Sequence, residues 1–168
     1  MNRKLTVAVV AIVALLIAVL AGQSILSQKT DAPDVTVPTL DGKTLALKTL
    51  RGKVVLVNFW ATTCTTCVSE MPSMVKTYNA FAPRGYEMIA IAMEYDRPDW
   101  VLNFTQKNAL PFTVALDPKG DAARAFGDVR LTPTTFLIDK QGRIVQKFLG
   151  APDFAKLNAT IEELLKAT

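Results

Sequence analysis

One stretch limits what this chain can fold into more than any other. Val54 to Phe59 is apolar at nearly every position, and it leads within a few residues into Cys64-Thr65-Thr66-Cys67. A run of that kind reads as a central parallel strand covered on both faces. The residues after it read as a helix beginning near Cys64, with Thr62 or Thr63 available to cap it. Cys64 and Cys67 are the only cysteines. Two thiols one helical turn apart can close a disulfide with each other. At a helix start the first also feels the partial positive charge of unpaired backbone N–H groups. That environment lowers a thiol pKa and makes a thiolate nucleophile near neutral pH.

The bland alternative is a structural staple. A bridge between residues three apart constrains almost no loop, so it stabilises little. A chain of 168 residues is not short of core either. A redox dithiol is the better reading. There is no histidine, which removes Ser-His and Cys-His catalysis together with the commonest metal ligand.

The first residues address the chain to a membrane. Leu5 to Ala21 holds no charge and one hydroxyl, and Ile25-Leu26 extends the apolar character. A bilayer core requires about 20 such residues, so 5–26 is expected to be a transmembrane anchor. A cleavable signal segment is the competing reading, but the apolar run exceeds the usual span of about 7–15 residues. Arg3 and Lys4 place residues 1–4 in the cytoplasm and everything after the span outside it. Those two residues also take up part of the excess of 19 basic over 15 acidic side chains. The remainder is nearly balanced and has no basic run, so nucleic-acid binding has no support.

Residues 27–34 are polar and read as a tether to a domain over 35–168. Val35-Thr36-Val37 and Thr44–Leu47 flank the turn signal Asp41-Gly42, which predicts an N-terminal β-hairpin. After the first helix, expected to reach Phe81 with a kink at Pro72, Tyr86–Met93 reads as a second buried strand. Asp96–Asn108 reads as a helix with Trp100, Val101 and Phe104 on its inner face. Phe112–Leu116 is a short strand and Lys119–Phe126 a short helix. Thr134–Ile138 and Arg143–Leu149 form an antiparallel hairpin across Asp139-Lys140-Gln141-Gly142, and a last helix starts near Asp153. This order describes an α/β domain with a central mixed β-sheet flanked by helices. Its dithiol sits at the C-terminal end of a central strand, where open α/β sheets place their sites.

Several quoted residues carry a resemblance. Val55-Leu56-Val57-Asn58-Phe59-Trp60-Ala61 before the dithiol, Glu70-Met71-Pro72 after it and Thr132-Pro133-Thr134-Thr135-Phe136 further on are similar to the thioredoxin superfamily. With the N-terminal anchor, the chain resembles the membrane-anchored TlpA/ResA-type thioredoxin-like proteins of bacteria, over roughly Asp34 to Lys166. The resemblance implies a thioredoxin-like fold in which Cys64 attacks and Cys67 resolves. It implies that Pro133 is a cis-proline facing the disulfide, where the alternative is a simple strand-start proline. Thr132 would offer its backbone to an extended client by strand addition, and Trp60 would contact the client.

Glu70 matches an acid that the TlpA/ResA type keeps near the dithiol. Cys64, Cys67 and Glu70 are spaced three apart, on one helix face. Asn58 stands where ordinary thioredoxins carry a buried aspartate, and it cannot titrate. A poorly solvated Glu70 would have a raised pKa and act as general base to Cys67; the alternative is an exposed first-turn glutamate that suits the helix dipole. Thr63 and the Thr65-Thr66 pair depart from common thioredoxin patterns at positions that help set the reduction potential.

The expected activity is that of an extracytoplasmic protein-disulfide oxidoreductase, a reductant of client disulfides with the Cys64–Cys67 pair as its redox group and no other cofactor. The resemblance implies a membrane electron donor of the DsbD or CcdA type, and clients from cytochrome c maturation or copper-site assembly. A DsbA-type oxidant or isomerase and a Cu(I)-binding chaperone are the alternatives. A peroxiredoxin is disfavoured by Ala61, where that family's motif wants Thr or Ser. Met71, Met74 and Met93 suggest core packing rather than soft-metal binding. Glu94, Tyr95 and Asp96 follow a strand end on the active-site side, as a partner contact or, preferably, a helix cap.

Overall fold

The seven residues of the central strand are all buried, and the reason is their alternation. Val54, Leu56 and Trp60 enter one apolar cluster, while Val55, Val57 and Phe59 enter another on the opposite face. The structure is a computed structural model that describes Ile12 and residues 30–167. The chain divides into two units, Met1–Thr30 and Asp31–Thr168. In the first, Ile12 is helical.

The strands are β1 (Thr30–Asp31), β2 (Thr36–Pro38), β3 (Thr44–Ala46), β4 (Val54–Trp60), β5 (Tyr86–Ala92), β6 (Thr113–Leu116), β7 (Thr134–Ile138) and β8 (Arg143–Leu149). The helices are α1 (Thr65–Phe81), α2 (Pro98–Lys107), α3 (Asp121–Ala125) and α4 (Phe154–Lys166). Six strands form one sheet in the order β1-β8-β7-β4-β5-β6, and β2 with β3 forms the expected N-terminal hairpin. The fold is thioredoxin-like α/β.

Three details differ from the sequence reading. β4 is parallel only to β5; its other neighbour, β7, runs antiparallel. Burial on both faces does not distinguish those two settings, because cover rather than strand direction produces the apolar pattern. Trp100 is 46% exposed and lies under the Arg97 guanidinium, 5.2 Å from the ring centroid. On a helix of 3.6 residues per turn, Val101 and Phe104 share the inner stripe and Trp100 falls beside it. The expected tether also reaches too far: Ala32 donates its N–H to Gly142 O at 2.9 Å, so the folded unit begins before residue 35.

The amphipathic spacing of α1 seats Cys67, Glu70, Met71, Met74, Thr77 and Phe81 inward, and the helix runs on through Pro72. Thr77 donates to Asn158 Oδ1 at 2.9 Å, tying α1 to α4. Met71, Met74 and Met93 are all buried among apolar neighbours. Among the described residues no helix is long and apolar enough to cross a membrane. Apart from Ile12, the expected span 5–26 lies outside the described residues, as do residues 1–4 and 27–29.

Candidate active site

The dithiol loop leaves the C-terminal end of β4, and the cysteines sit where it becomes α1. Cys64 is the N-cap, and its Sγ accepts from the Cys67 N–H at 3.2 Å. The helix is therefore capped by sulfur, not by Thr62 or Thr63. Thr62 is engaged elsewhere, with its N–H and Oγ1 on the Asp96 carboxylate at 2.5 and 2.6 Å. Cys64 and Cys67 are joined as a disulfide. Cys64 is half-buried and Cys67 is fully buried. One sulfur can thus be reached from solvent while the other waits beneath it, at a helix N-terminus that favours thiolate.

Glu70 follows one turn after Cys67 and is only 4% exposed. It is therefore not a solvated first-turn acid. Burial pushes its carboxyl up to about 7, against the weaker opposing pull of a hydrogen bond from Asn58. A carboxyl held there is poised to exchange protons near neutral pH.

Strand register brings a third element to the same place. Phe59 lies opposite Thr134; one step further, Pro133 lies level with Trp60, where the dithiol loop departs. The Thr132–Pro133 peptide is cis, and Pro133 O accepts from Gly150 N at 2.8 Å. Thr132 is half-buried and precedes the β7 ladder. Trp60 departs from expectation. It is fully buried and packs on Phe104 at 5.2 Å between centroids, so it offers no surface to a client. Its register on β4 turns it into the core beneath α2. Among the described residues, no group of three or more His, Cys, Asp or Glu side chains could hold a metal ion.

Comparison with known proteins agrees with this geometry. The sequence pattern of the family described as Redoxin matches residues 27–161. The chain is 39% identical over 137 residues to the thiol-disulfide oxidoreductase ResA of Bacillus thuringiensis subsp. konkukian, covering 81% of this chain and 75% of that protein. It is 36% identical over 133 residues to ResA of Bacillus subtilis, covering 79% and 73%. Among solved structures, a thiol:disulfide interchange protein of the thioredoxin family from Chlorobium tepidum superposes with a TM-score of 0.75 at 30% identity, over 83% of this chain and 98% of that one.

The chain belongs to the redoxin family. Its activity class is protein-disulfide oxidoreductase.

Within this redoxin domain the tertiary structure adds contacts that sequence reading did not find. Asn58, considered only as a missing acid, donates through Nδ2 to Glu70 Oε1 at 3.2 Å and to Thr135 Oγ1 at 2.9 Å. Asp96 is not a side-chain cap of α2, whose N-cap Arg97 lacks one. It instead fastens the β5–α2 loop to the dithiol loop through Thr62. Exposed Tyr95 places its hydroxyl 3.3 Å from Thr132 Oγ1, so the same loop also touches the cis-proline segment. The polar run 94–96 is a visible signal; its partners Thr62 and Thr132 are not.

Proposed function

We propose that this chain is a reductant of protein disulfides outside the cytoplasm of a bacterium. Residues 5–26 anchor it as a single pass in the cytoplasmic membrane. The observation that carries the redox chemistry is Glu70, a buried carboxyl near pH 7 one helical turn beyond Cys67. What supports the direction is similarity to ResA-type proteins, together with an apolar segment flanked by Arg3 and Lys4 on its short side.

Reduced Cys64, as thiolate, attacks one sulfur of a client disulfide. The client S–S bond breaks, its second sulfur leaves as a thiolate that picks up a proton, and a mixed disulfide forms. Glu70 takes the Cys67 proton. The Cys67 thiolate then attacks Cys64 Sγ, forming the Cys64–Cys67 bond and releasing the client's other sulfur. Two electrons have passed to the client, and no cofactor beyond the dithiol is needed. Thr132, next to cis Pro133, aligns the client backbone by strand addition. A membrane dithiol donor of the DsbD or CcdA type restores the reduced state. Apocytochrome c or copper-site assembly proteins are the clients.

Thiol trapping across glutathione and dithiothreitol buffers tests the direction. A reductant should equilibrate far below the potential of DsbA; a value near about −120 mV would reverse the assignment. Cys67→Ser should freeze the mixed disulfide on Cys64 and identify the client by mass spectrometry.

A further inference from the structure

Beneath the dithiol, three side chains from three elements meet away from water. Asn58 of β4 and Thr135 of β7 are 0% exposed, and Glu70 of α1 is 4% exposed. One amide nitrogen serves both neighbours: Asn58 Nδ2 donates to Glu70 Oε1 and to Thr135 Oγ1. Two buried atoms of this group have no hydrogen-bond partner, Asn58 Oδ1 and Glu70 Oε2. The two oxygens of Glu70 are therefore not equivalent.

An amide N–H can only donate, so the oxygen it faces must keep a lone pair toward it. Oε1 meets that requirement both as a carboxylate oxygen and as the carbonyl oxygen of the neutral acid. A proton placed on Oε1 would confront the amide donor, whereas Oε2 has nothing opposing it. Turning the Asn58 amide would aim Oδ1 at an ionised carboxylate, which is repulsive. The carboxylate is what decides the orientation, since the Thr135 hydroxyl can accept from Nδ2 or donate to Oδ1; in the orientation observed it accepts the second Nδ2 proton and helps hold the amide in place.

We propose that Asn58 and Thr135 are positioning residues that fix Oε2 as the oxygen of Glu70 that exchanges its proton with Cys67. The proposal rests on the reading of Glu70 as the base that serves Cys67. In the resolving step the proton passes from Cys67 Sγ to Oε2. The Cys67–Cys64 S–S bond then forms as the Cys64–client bond breaks, and the client sulfur leaves as thiolate. While Glu70 is ionised Asn58 donates to Oε1, so the buried charge keeps its partner until the proton arrives on Oε2. Burial and the Asn58 amide are what move the Glu70 carboxyl. The side chain it meets from β4 is the uncharged Asn58, itself held by the uncharged Thr135 of β7, and its own helix adds the two thiols after reduction.

The test separates the two exchange steps by rapid mixing of the reduced full-length protein with a small peptide disulfide. Thr135→Val keeps the shape and removes the acceptor; Asn58→Leu removes the donor. Each should slow resolution of the mixed disulfide about tenfold, against about a hundredfold for Glu70→Gln. The first attack by Cys64 should be unaltered. The pH midpoint of the resolving step should move up in Asn58→Leu, because the donor to the ionised acid is lost, and by less in Thr135→Val, where the amide stays but loses the hydroxyl that helps hold it; Thr135→Ser should keep the wild-type rate and midpoint. If Glu70→Gln slows resolution but Thr135→Val and Asn58→Leu keep the wild-type rate and midpoint, the positioning role is wrong and the base role stands. If Glu70→Gln leaves resolution unchanged, the base role itself fails and the positioning role falls with it. A loss of folding stability in Thr135→Val with an unmoved midpoint likewise overturns the proposal, since that is what mere packing would give.

Discussion

The two faces of β4 are equally dry and differ in what they leave unpaired. Val55, Val57 and Phe59 look into a cluster closed by α3 and the N-terminal hairpin. Its centre is a triad of rings, with Phe59 5.4 Å from Phe126 and 6.1 Å from Phe136, and Phe126 4.8 Å from Phe136. Val54, Leu56, Asn58 and Trp60 alternate with them and look toward α1, α2 and α4. The buried side-chain atoms without a partner, among the described residues, all belong to this second side: Asn58 Oδ1, Trp60 Nε1, Glu70 Oε2 and Tyr86 OH. An unpaired buried polar group costs about 1–3 kcal/mol. The difference teaches a division of labour within one strand, in which one face is given to packing and the other keeps polar groups dry, Asn58 beneath the dithiol among them.

The sharpest way to break this comparison is to damage the apolar face and watch the dithiol. Phe59→Ala removes the ring shared by two aromatic pairs and should cost about 3–5 kcal/mol in denaturant unfolding. The pH titrations of Cys64 and Cys67 in the folded variant should stay where they are. A shift in either thiol would show that the faces are not separable.

A somewhat smaller effect belongs to the polar face alone. In the unfolded chain Glu70 loses its proton near 4.5, while in the folded oxidised protein it holds it to about 7. Between those values the native state binds more protons, so stability falls as pH rises through that window. The full effect is on the order of 3 kcal/mol and is complete above pH 7. Glu70→Gln should abolish this fall and make the oxidised protein more stable than wild type at pH 8. Urea midpoints from pH 4 to pH 8 decide it, and parallel curves for the two proteins would contradict a dry Glu70.

The smallest expected change tests the unpaired atoms directly. Tyr86→Phe deletes a buried hydroxyl without a partner, so stability should be unchanged or rise by up to about 1 kcal/mol. A loss larger than that, measured in urea, would reveal a partner for the hydroxyl and erase part of the contrast between the faces.

Much of this was legible in the residues. The strand into Cys64-Thr65-Thr66-Cys67, the hairpin at Asp41-Gly42, the hairpin across residues 139–142 and the inward stripe of α1 all follow from short-range periodicity and turn chemistry. The misreadings share one cause. The nearest neighbours of Thr62 allow it to cap, yet its partner Asp96 lies 34 residues on. The motif displays Trp60 as a client contact, yet its rotation on β4 turns it under Phe104. Along the chain Asn58 is only the absence of an acid, because its use depends on a strand that arrives much later.

Sequence by itself determined the dithiol, its place at a strand–helix junction and the acid one turn beyond it, since these are facts of spacing along the chain. Only the tertiary structure decided that Glu70 is dry, that one of its oxygens is bound and the other free, and that β4 has a polar face. Those facts join residues 12 and 77 positions apart. The electrostatics of a buried carboxyl depend on what packs around it, and no local pattern records that.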